Sequence, residues 1–370
     1  MQVDWELSQQ FVSDSQGIRA ACVLPSKDGD GADAYRVVTG NQGGGLCEFG
    51  VPSGALHPIE YQHNHAVTAL LTIPELQVYV TGCKDAMVRV FDYSHNLKAT
   101  LKGHEKPVTS LSVAKTSTAS STNGVYLVTG SWDGTSKIWD ISRQAMVATL
   151  PGHENSVCVT GLEVSDSSSA NIVNVATGSA GLAQNNQVQD YTVRIWTVNV
   201  ATGQVACVHS VANDHEGSIR GITNVTSGAQ KLVATCSNDG TVRLRSSDSG
   251  VSIAALTFLT QQQSHPPMLL SVTSIAEDTD TAVAASAEDG HVVIWSQQSD
   301  NNTGALPEPQ VILHPSCVWN VVGLPQGDLA TCCQDGTLRI FTKASDRTAP
   351  QAEKEAFASA VQQASQKKSS

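Results

Sequence analysis

The sequence predicts an all-β fold: a seven-bladed β-propeller, closed by its N-terminal strand and followed by a short C-terminal helical tail. Two observations carry this prediction. A run of alternating apolar and polar residues recurs through most of the chain, usually with an aspartate before it and an aromatic residue at its end. The run returns at intervals of 42 to 57 residues. Alternation indicates a half-buried strand, and units of this size bury their apolar faces only against copies of themselves.

The recurring unit is complete in residues 130–140, GSWDGTSKIWD, where Asp133 precedes Trp139 by six residues. The fifth copy ends in Arg245 in place of an aromatic residue, and in the first copy Gly43 replaces the aspartate. Asp-Gly, present in most copies, favours a tight turn, so a hairpin enters each strand. The marker residues of the seven copies stand at positions 43, 85, 133, 190, 239, 289 and 335.

A threonine and a histidine also recur upstream of the aspartate. The full set is present in two copies, as His104, Thr129, Asp133 and Trp139, and as His153, Thr177, Asp190 and Trp196. His104, Thr129 and Asp133 could be taken for a nucleophile triad. A catalytic set has no reason to recur along a chain, however, whereas a structural unit does. We therefore expect that the protein is not an enzyme.

The two ends of the propeller can be assigned from the same pattern. The last repeat finishes near Phe341 without an outer strand, and residues 4–12 contain an alternating run. We expect this run to complete the seventh blade, because joining the chain ends removes an open sheet edge. The propeller is thus predicted over 1–345, and an exit segment, short helix and linker over 346–370. Polar or Gly- and Pro-rich insertions are predicted as surface loops at 114–124, 181–189, 260–267 and 297–309.

Composition argues against several classes of function. With 22 basic and 34 acidic residues the net charge is −12, which disfavours binding to nucleic acid or to an anionic membrane. No apolar run is long enough to span a bilayer, and we expect no secretory signal. The histidines lack the spacing of a known metal site, so we expect no metal and no cofactor. The nine cysteines form no C-x-x-C motif, which indicates reduced, partly buried thiols in a cytoplasmic and nuclear protein; those in apolar runs include Cys22, Cys158, Cys207 and Cys236.

The register of the repeats also places a set of side chains on one rim of the propeller. The turn before each recurring strand projects there, and so does the residue after each recurring Val or Ile. Trp132 and Trp319 lie off the repeated structural positions, and exposed Trp and Arg residues are typical interface anchors. The alternative for Trp319 is packing inside its own blade. The predicted partner-binding residues are Arg19, Thr68, Lys84, Trp132, Arg220, Asn238, Glu288, Trp319 and Gln334.

Residues 17–341 resemble WD40 repeats, in which the four recurring residues form a hydrogen-bonded set within each blade. Two stretches are similar to a narrower family. Residues 318–361, with the exit segment FTKASDRTA, and LKGHEKPVTSL of the third repeat resemble the phospholipase A-2-activating protein family. The resemblance implies a propeller that binds ubiquitin or ubiquitinated proteins through one face. It also implies docking on an AAA segregase, valosin-containing protein, through C-terminal domains that these 370 residues do not include.

Residue pattern and resemblance together favour a non-catalytic ubiquitin-binding adaptor in ubiquitin-dependent protein degradation, and we expect a monomer. The alternative is a scaffold that reads a phosphorylated or methylated peptide. Such a scaffold requires an Arg cluster or an aromatic cage at the centre of the rim. Arg19 and Arg220 could contribute to the Arg cluster.

Overall fold

The computed structural model describes residues 4–13, 16–26, 33–120, 123–153, 155–162, 170–181, 190–212, 214–227, 230–258, 266–276, 281–296 and 308–369. These residues form seven antiparallel sheets of four strands each. The arrangement confirms the predicted seven-bladed propeller. We number the blades one to seven by their innermost strands, which are β2, β6, β10, β14, β18, β22 and β26.

The strands are short and follow one another outward through each blade. Blades one and two consist of β2 Ile18–Pro25, β3 Tyr35–Asn41, β4 Leu46–Val51, β5 Leu56–Ile59, β6 Val67–Ile73, β7 Val78–Cys83, β8 Val88–Asp92 and β9 Leu97–Leu101. Blades three and four consist of β10 Val108–Ser120, β11 Asn123–Ser131, β12 Ser136–Asp140, β13 Ala145–Leu150, β14 Val157–Leu162, β15 Ile172–Ser179, β16 Val193–Asn199 and β17 Gln204–Val211. Blades five and six consist of β18 Ile219–Ser227, β19 Gln230–Ser237, β20 Thr241–Ser246, β21 Ser252–Thr257, β22 Leu269–Ala276, β23 Thr281–Ala287, β24 His291–Trp295 and β25 Gln310–Leu313.

Blade seven joins the two ends of the chain. It consists of β26 Val318–Gly323, β27 Leu329–Cys333, β28 Thr337–Thr342 and, as its outer strand, β1 Glu6–Val12. β1 runs antiparallel to β28, and its residues Leu7 and Phe11 are buried. The predicted closure by residues 4–12 is therefore confirmed.

The innermost strands surround the central axis, and each contacts the innermost strands of both neighbouring blades. Side-chain hydroxyls link them directly: Thr109 Oγ1 donates to the Val157 carbonyl at 2.8 Å, and Ser110 Oγ accepts from the Val159 amide at 3.1 Å. Apolar side chains fill the wedge between blades. Between blades two and three this core includes Ile73, Val80, Val108, Leu127 and Trp139.

A helix, α1 Gln351–Ser369, follows the propeller and is longer than the short helix that the sequence predicts. It is anchored on blade seven. The Ala349 amide, just before the helix, donates to the Leu7 carbonyl at 2.8 Å. The Phe357 ring lies 5.8 Å from Phe341 and 5.9 Å from His314, measured between ring centroids. The chain also forms three 3-10 helices, at Pro74–Leu76, Pro325–Gly327 and Ser345–Arg347.

The insertion at 114–124 was predicted as a surface loop, and this prediction is wrong. β10 continues through it to Ser120 and β11 begins at Asn123, so most of the insertion extends a hairpin. The insertion contains three Thr residues, which favour strands, and pairing between β10 and β11 decides the conformation where local composition does not. The other three predicted loops lie largely outside the described residues.

All nine cysteines are free thiols. Cys207 was expected to be partly buried but is exposed on the outer strand of blade four, because no strand among the described residues pairs with the far side of that strand. In the described part of the chain, no helix has both the length and the apolar character that crossing a membrane requires.

Candidate partner-binding site

The predicted set of four residues is joined by hydrogen bonds in blade three. His104 Nδ1 lies 2.8 Å from Asp133 Oδ2, and His104 Nε2 lies 2.7 Å from Thr129 Oγ1. Trp139 Nε1 donates to the same hydroxyl oxygen at 3.0 Å. Burial alone would raise the pKa of the Asp133 carboxyl. The hydrogen bonds from His104 and Thr135 outweigh this effect and hold the pKa well below its ordinary value. An ionised carboxylate only accepts, so Nδ1 of the histidine carries the hydrogen.

Blade four repeats this geometry. His153 lies 3.0 Å from Asp190 and 2.8 Å from Thr177, and Trp196 donates to Thr177 at 2.9 Å. The hydroxyl-bearing residues of both sets, Thr129 and Thr177, are fully buried. A nucleophile there could not reach a substrate, so the two sets hold their blades together.

An arginine changes the network in blades two and seven. Asp85 pairs with Arg89 at 2.7 Å and Asp335 pairs with Arg339 at 2.8 Å, in place of a bond to the blade histidine. Burial, followed by the adjacent arginine charge, lowers the pKa of His63 to about 4 and that of His314 to about 3. These two histidines are therefore buried in the neutral form.

The top face of the propeller carries the turn between the second and third strands of every blade. In each of the seven blades a backbone amide in this turn donates to the carbonyl just before the innermost strand, at 2.7 to 3.1 Å. The turns and the strand starts are thus held on the same rim, as the repeat register requires. The donors are Gln42, Lys84, Trp132, Ala180, Asn238, Glu288 and Gln334.

Sequence reasoning missed two of these seven turns. Gln42 was missed because Gly43 replaces the marker aspartate of blade one. Ala180 was missed because the insertion that follows it in blade four separates it from Asp190. Both positions could have been found by counting from the preceding threonine, Thr39 or Thr177, since the amide donor follows that threonine by three residues in both turns.

A β-bulge marks the start of the innermost strand in six blades. The pairing register skips one residue directly after the first Val, Ile or Leu of the strand, whereas blade four pairs without a skip. A bulge turns a side chain out of the regular alternation, and here it points these side chains toward the axis. The bulged residues are Arg19, Thr68, Thr109, Arg220, Leu270 and Trp319.

All six bulged residues line one cavity of about 420 Å³, which we call the top-centre cavity. Lys84 and Trp132 from the turns also line it, so six of the nine predicted partner-binding residues meet there. Asn238, Glu288 and Gln334 are not among the lining residues. Lining residues that the sequence did not indicate include Ser110, Ser156, Ser271 and Asn320.

The two rim tryptophans differ in their surroundings. Trp132 is 47% exposed. Trp319 is half-buried: the Arg19 guanidinium carbon lies 3.7 Å from the centre of its ring, and its indole N–H donates to Gln334. Gln42 also donates to Gln334, at 2.9 Å. Trp319 is thus neither a free anchor nor packed inside its own blade, because its ring stacks on Arg19 of the neighbouring blade one.

Charge is unevenly distributed on the top face. The lining residues of the top-centre cavity include Arg19, Lys84 and Arg220 but no aspartate or glutamate. Exposed Glu105, Glu216 and Glu288 lie in the loops and turns farther out. In the part of the chain that the structure describes, no group of three or more His, Cys, Asp or Glu residues is arranged to hold a metal ion.

Seven four-stranded blades, of which blades three and four carry the full His, Thr, Asp and Trp set, define a WD40-repeat β-propeller, a fold that typically serves as a non-catalytic scaffold for protein partners. The WD domain, G-beta repeat family matches residues 95–140 and 205–246. The crystal structure of the WD40 β-propeller domain of Doa1 has a TM-score of 0.70 with this chain at 21% identity, and covers 94% of this chain and 100% of that domain. At this identity the likeness concerns the fold alone.

Two curated proteins illustrate the range of relatives. Ubiquitin homeostasis protein lub1 of Schizosaccharomyces pombe is 31% identical over 136 residues, which are 37% of this chain and 16% of lub1. Nuclear distribution protein nudF of Aspergillus niger is 31% identical over 171 residues, which are 45% of this chain and 32% of nudF. The chain therefore spans a third or less of the length of these relatives.

Proposed function

We propose that this chain is a non-catalytic adaptor whose top face binds ubiquitin or ubiquitinated proteins in ubiquitin-dependent protein degradation, in the cytoplasm and nucleus. Three observations support the proposal. The exit segment and third repeat resemble the phospholipase A-2-activating protein family, lub1 is named for ubiquitin homeostasis, and the Doa1 propeller shares the fold. Docking on an AAA segregase would require domains beyond these residues.

The observation that carries the proposal is the exposed Trp132 beside the top-centre cavity. Interfaces concentrate their binding energy in a few aromatic and arginine side chains surrounded by less important contacts. Trp132 offers about half of its surface to a partner, and its backbone amide fixes the turn by donating to the Pro107 carbonyl at 2.9 Å. An exposed indole on a turn that is fixed in this way suits an apolar patch such as that of ubiquitin.

The outer part of the top face supplies complementary charge. Ubiquitin's apolar patch is bordered by basic residues, and Glu105, Glu216 and Glu288 are exposed around the cavity. Such complementarity mainly raises the association rate and orients the partner. Moderate salt should therefore slow association more than it accelerates dissociation.

The alternative of a methylated-peptide reader lacks support in the geometry. An aromatic cage encloses the cation with several free ring faces. Of the two rim tryptophans, Trp319 already has a guanidinium against its ring. Trp132 alone does not form a cage.

A titration with fluorescently labelled ubiquitin tests the proposal. We expect Trp132→Ala to weaken binding by about 2 kcal/mol or more, which is roughly thirtyfold in Kd. The matched control is Met146→Ala, because Met146 is 50% exposed on an outer strand away from the top face. Normal binding by Trp132→Ala together with weak binding by Met146→Ala would place the site on the outer strands and contradict the proposal.

A further inference from the structure

The arginines of this protein divide into two groups by their partners. Of the ten in the sequence, all within the described residues, seven form ion pairs with carboxylates: Arg36, Arg89, Arg143, Arg243, Arg245, Arg339 and Arg347. Arg194 donates to the Gly152 carbonyl. The remaining two, Arg19 and Arg220, have no carboxylate or carbonyl acceptor among the described residues, and both line the top-centre cavity.

The guanidinium of Arg19 is held in place without being neutralised. It stacks on Trp319 at 3.7 Å, and Trp319 is fixed in turn by its hydrogen bond to Gln334. Stacking occupies one face of the guanidinium and leaves its N–H donors free for a planar acceptor. Arg19 is therefore oriented before any ligand arrives.

Arg220 reaches the same cavity from blade five, on the far side of the ring from blade one. Both arginines occupy bulges, which point their side chains to the axis. Burial lowers the pKa of Arg19; the nearby Cys317 opposes this, and the charge of Arg220 adds to it. The two positive charges face the same cavity without a counter-charge, so they repel each other. An anionic ligand bound between them would reduce this repulsion.

The size of the cavity limits what can enter it. At about 420 Å³ it is at the small end of ligand sites and admits one or a few side chains but no globular domain. A folded partner would rest on Trp132 and the outer glutamates, and only a protruding segment would reach Arg19 and Arg220.

We infer that the top-centre cavity is an anion subsite that takes an acidic segment of a peptide, with the carboxylate or phosphate of one side chain bound by Arg19 and Arg220. The inference rests on the proposed use of the top face for partners, and it adds a second chemistry to that face. Arginine pairs bind carboxylate and phosphate through the same bidentate hydrogen bonds. The ligand is therefore defined by its charge, in contrast to the apolar patch expected at Trp132.

Fluorescence anisotropy with four labelled nonapeptides of Gly and Ser tests the inference. Their central residues are Asp-Asp, phosphoserine, Ser and Lys-Lys. We expect the first two to bind and the last two not to bind, and the stronger of the first two identifies the source of the anion. Arg220→Gln should weaken acidic-peptide binding at least tenfold, which is about 1.4 kcal/mol. Since Arg220 is exposed and unpaired among the described residues, this change should leave the fold intact.

The matched control is Arg143→Gln, which removes the same charge from an exposed arginine in the turn after β12, on the opposite face. Failure of both acidic peptides to bind the wild type, or equal losses in the two variants, would overturn the inference. Tighter binding of a short single-stranded oligonucleotide than of either peptide would overturn the choice of ligand. Titration of ubiquitin against the wild type separates the two proposals: if the acidic peptides bind and ubiquitin does not, only the adaptor function is refuted.

Discussion

At the residue scale, the aspartate that marks six of the seven repeats makes different contacts in different blades. Asp133 accepts from the His104 ring and from the Glu105 amide at 3.1 Å, and it also binds Thr135. Asp335 instead pairs with an arginine four residues later. The same marker residue thus serves a buried hydrogen-bond network in one blade and an ion pair in another.

Replacing Asp133 with Ala should destabilise the protein by about 1–3 kcal/mol, because the buried donor of His104 and the backbone amides would lose their acceptor. Gly43→Ala is the control. Gly43 occupies the equivalent position in blade one but is exposed, and an added Cβ would approach other atoms no closer than 3.4 Å. Urea unfolding measures both variants, and equal losses would contradict the role assigned to Asp133.

Blade five shows how far a single position can depart from the pattern. Arg245 replaces the tryptophan, is 1% exposed, and donates from Nε to Thr235 at 3.3 Å. Asp214 accepts from Arg245 and forms an ion pair with Arg243 at 2.9 Å. The buried charge is tolerated because a carboxylate accompanies it.

At the scale of elements, β1 and α1 both secure blade seven. β1 supplies the fourth strand, and Ser8 Oγ donates to the Arg347 carbonyl at 2.6 Å. α1 packs Phe357 over Phe341, and Lys354 forms an ion pair with Glu6. The helix therefore reinforces the closure that the strand makes.

Deleting residues 1–12 should expose the edge of β28 and the apolar surface that Leu7 and Phe11 cover. An open, unpaired edge pairs with other chains, so we expect aggregation and a lower melting temperature. Size-exclusion chromatography with light scattering measures the first and thermal unfolding the second. The control removes residues 362–370, beyond Phe357, and should behave as wild type. A deletion of 1–12 that elutes and melts like the wild type would rule out closure by β1.

At the scale of the whole molecule, the buried histidines of blades two and seven make the stability of the propeller depend on pH. His63 and His314 are 2% and 4% exposed, and their pKa values are lowered to about 4 and about 3. In the unfolded chain both would titrate near 6.5. At a pH between the folded and unfolded pKa values, each histidine takes up a proton when the protein unfolds. The contribution of the two histidines to the free energy of unfolding is therefore fully present above pH 6.5 and decreases as the pH falls toward 3.

Between pH 7.5 and pH 5 we expect each of these two histidines to account for a loss of about 2 kcal/mol of unfolding free energy. Urea unfolding at several pH values measures this loss. His314→Gln should reduce the pH dependence, whereas His57→Gln, at an exposed histidine, should not. A free energy of unfolding that stays constant over this range would contradict neutral burial.

Local patterns by themselves determined the number of blades, their register, the closing strand and five of the seven turns on the top face. Spacing and alternation are properties of neighbouring residues, so they can be read without a structure. The same patterns could not show that residues 114–124 extend a hairpin, because pairing across the hairpin decides this. They also could not show which aspartates pair with arginine, since Asp190 and Asp335 are both followed four residues later by arginine.

Only the tertiary structure decided how the rim residues combine. Arg19 and Trp319 are 300 positions apart and meet because the ring brings blade one against blade seven. Arg220 joins them only across the central axis, from a blade that neighbours neither. The sequence could give the direction of each side chain within its own repeat. Their shared cavity, its lack of carboxylates and the stacked Trp319 follow from the circular packing of all seven blades, because that packing alone sets which strand starts face one another.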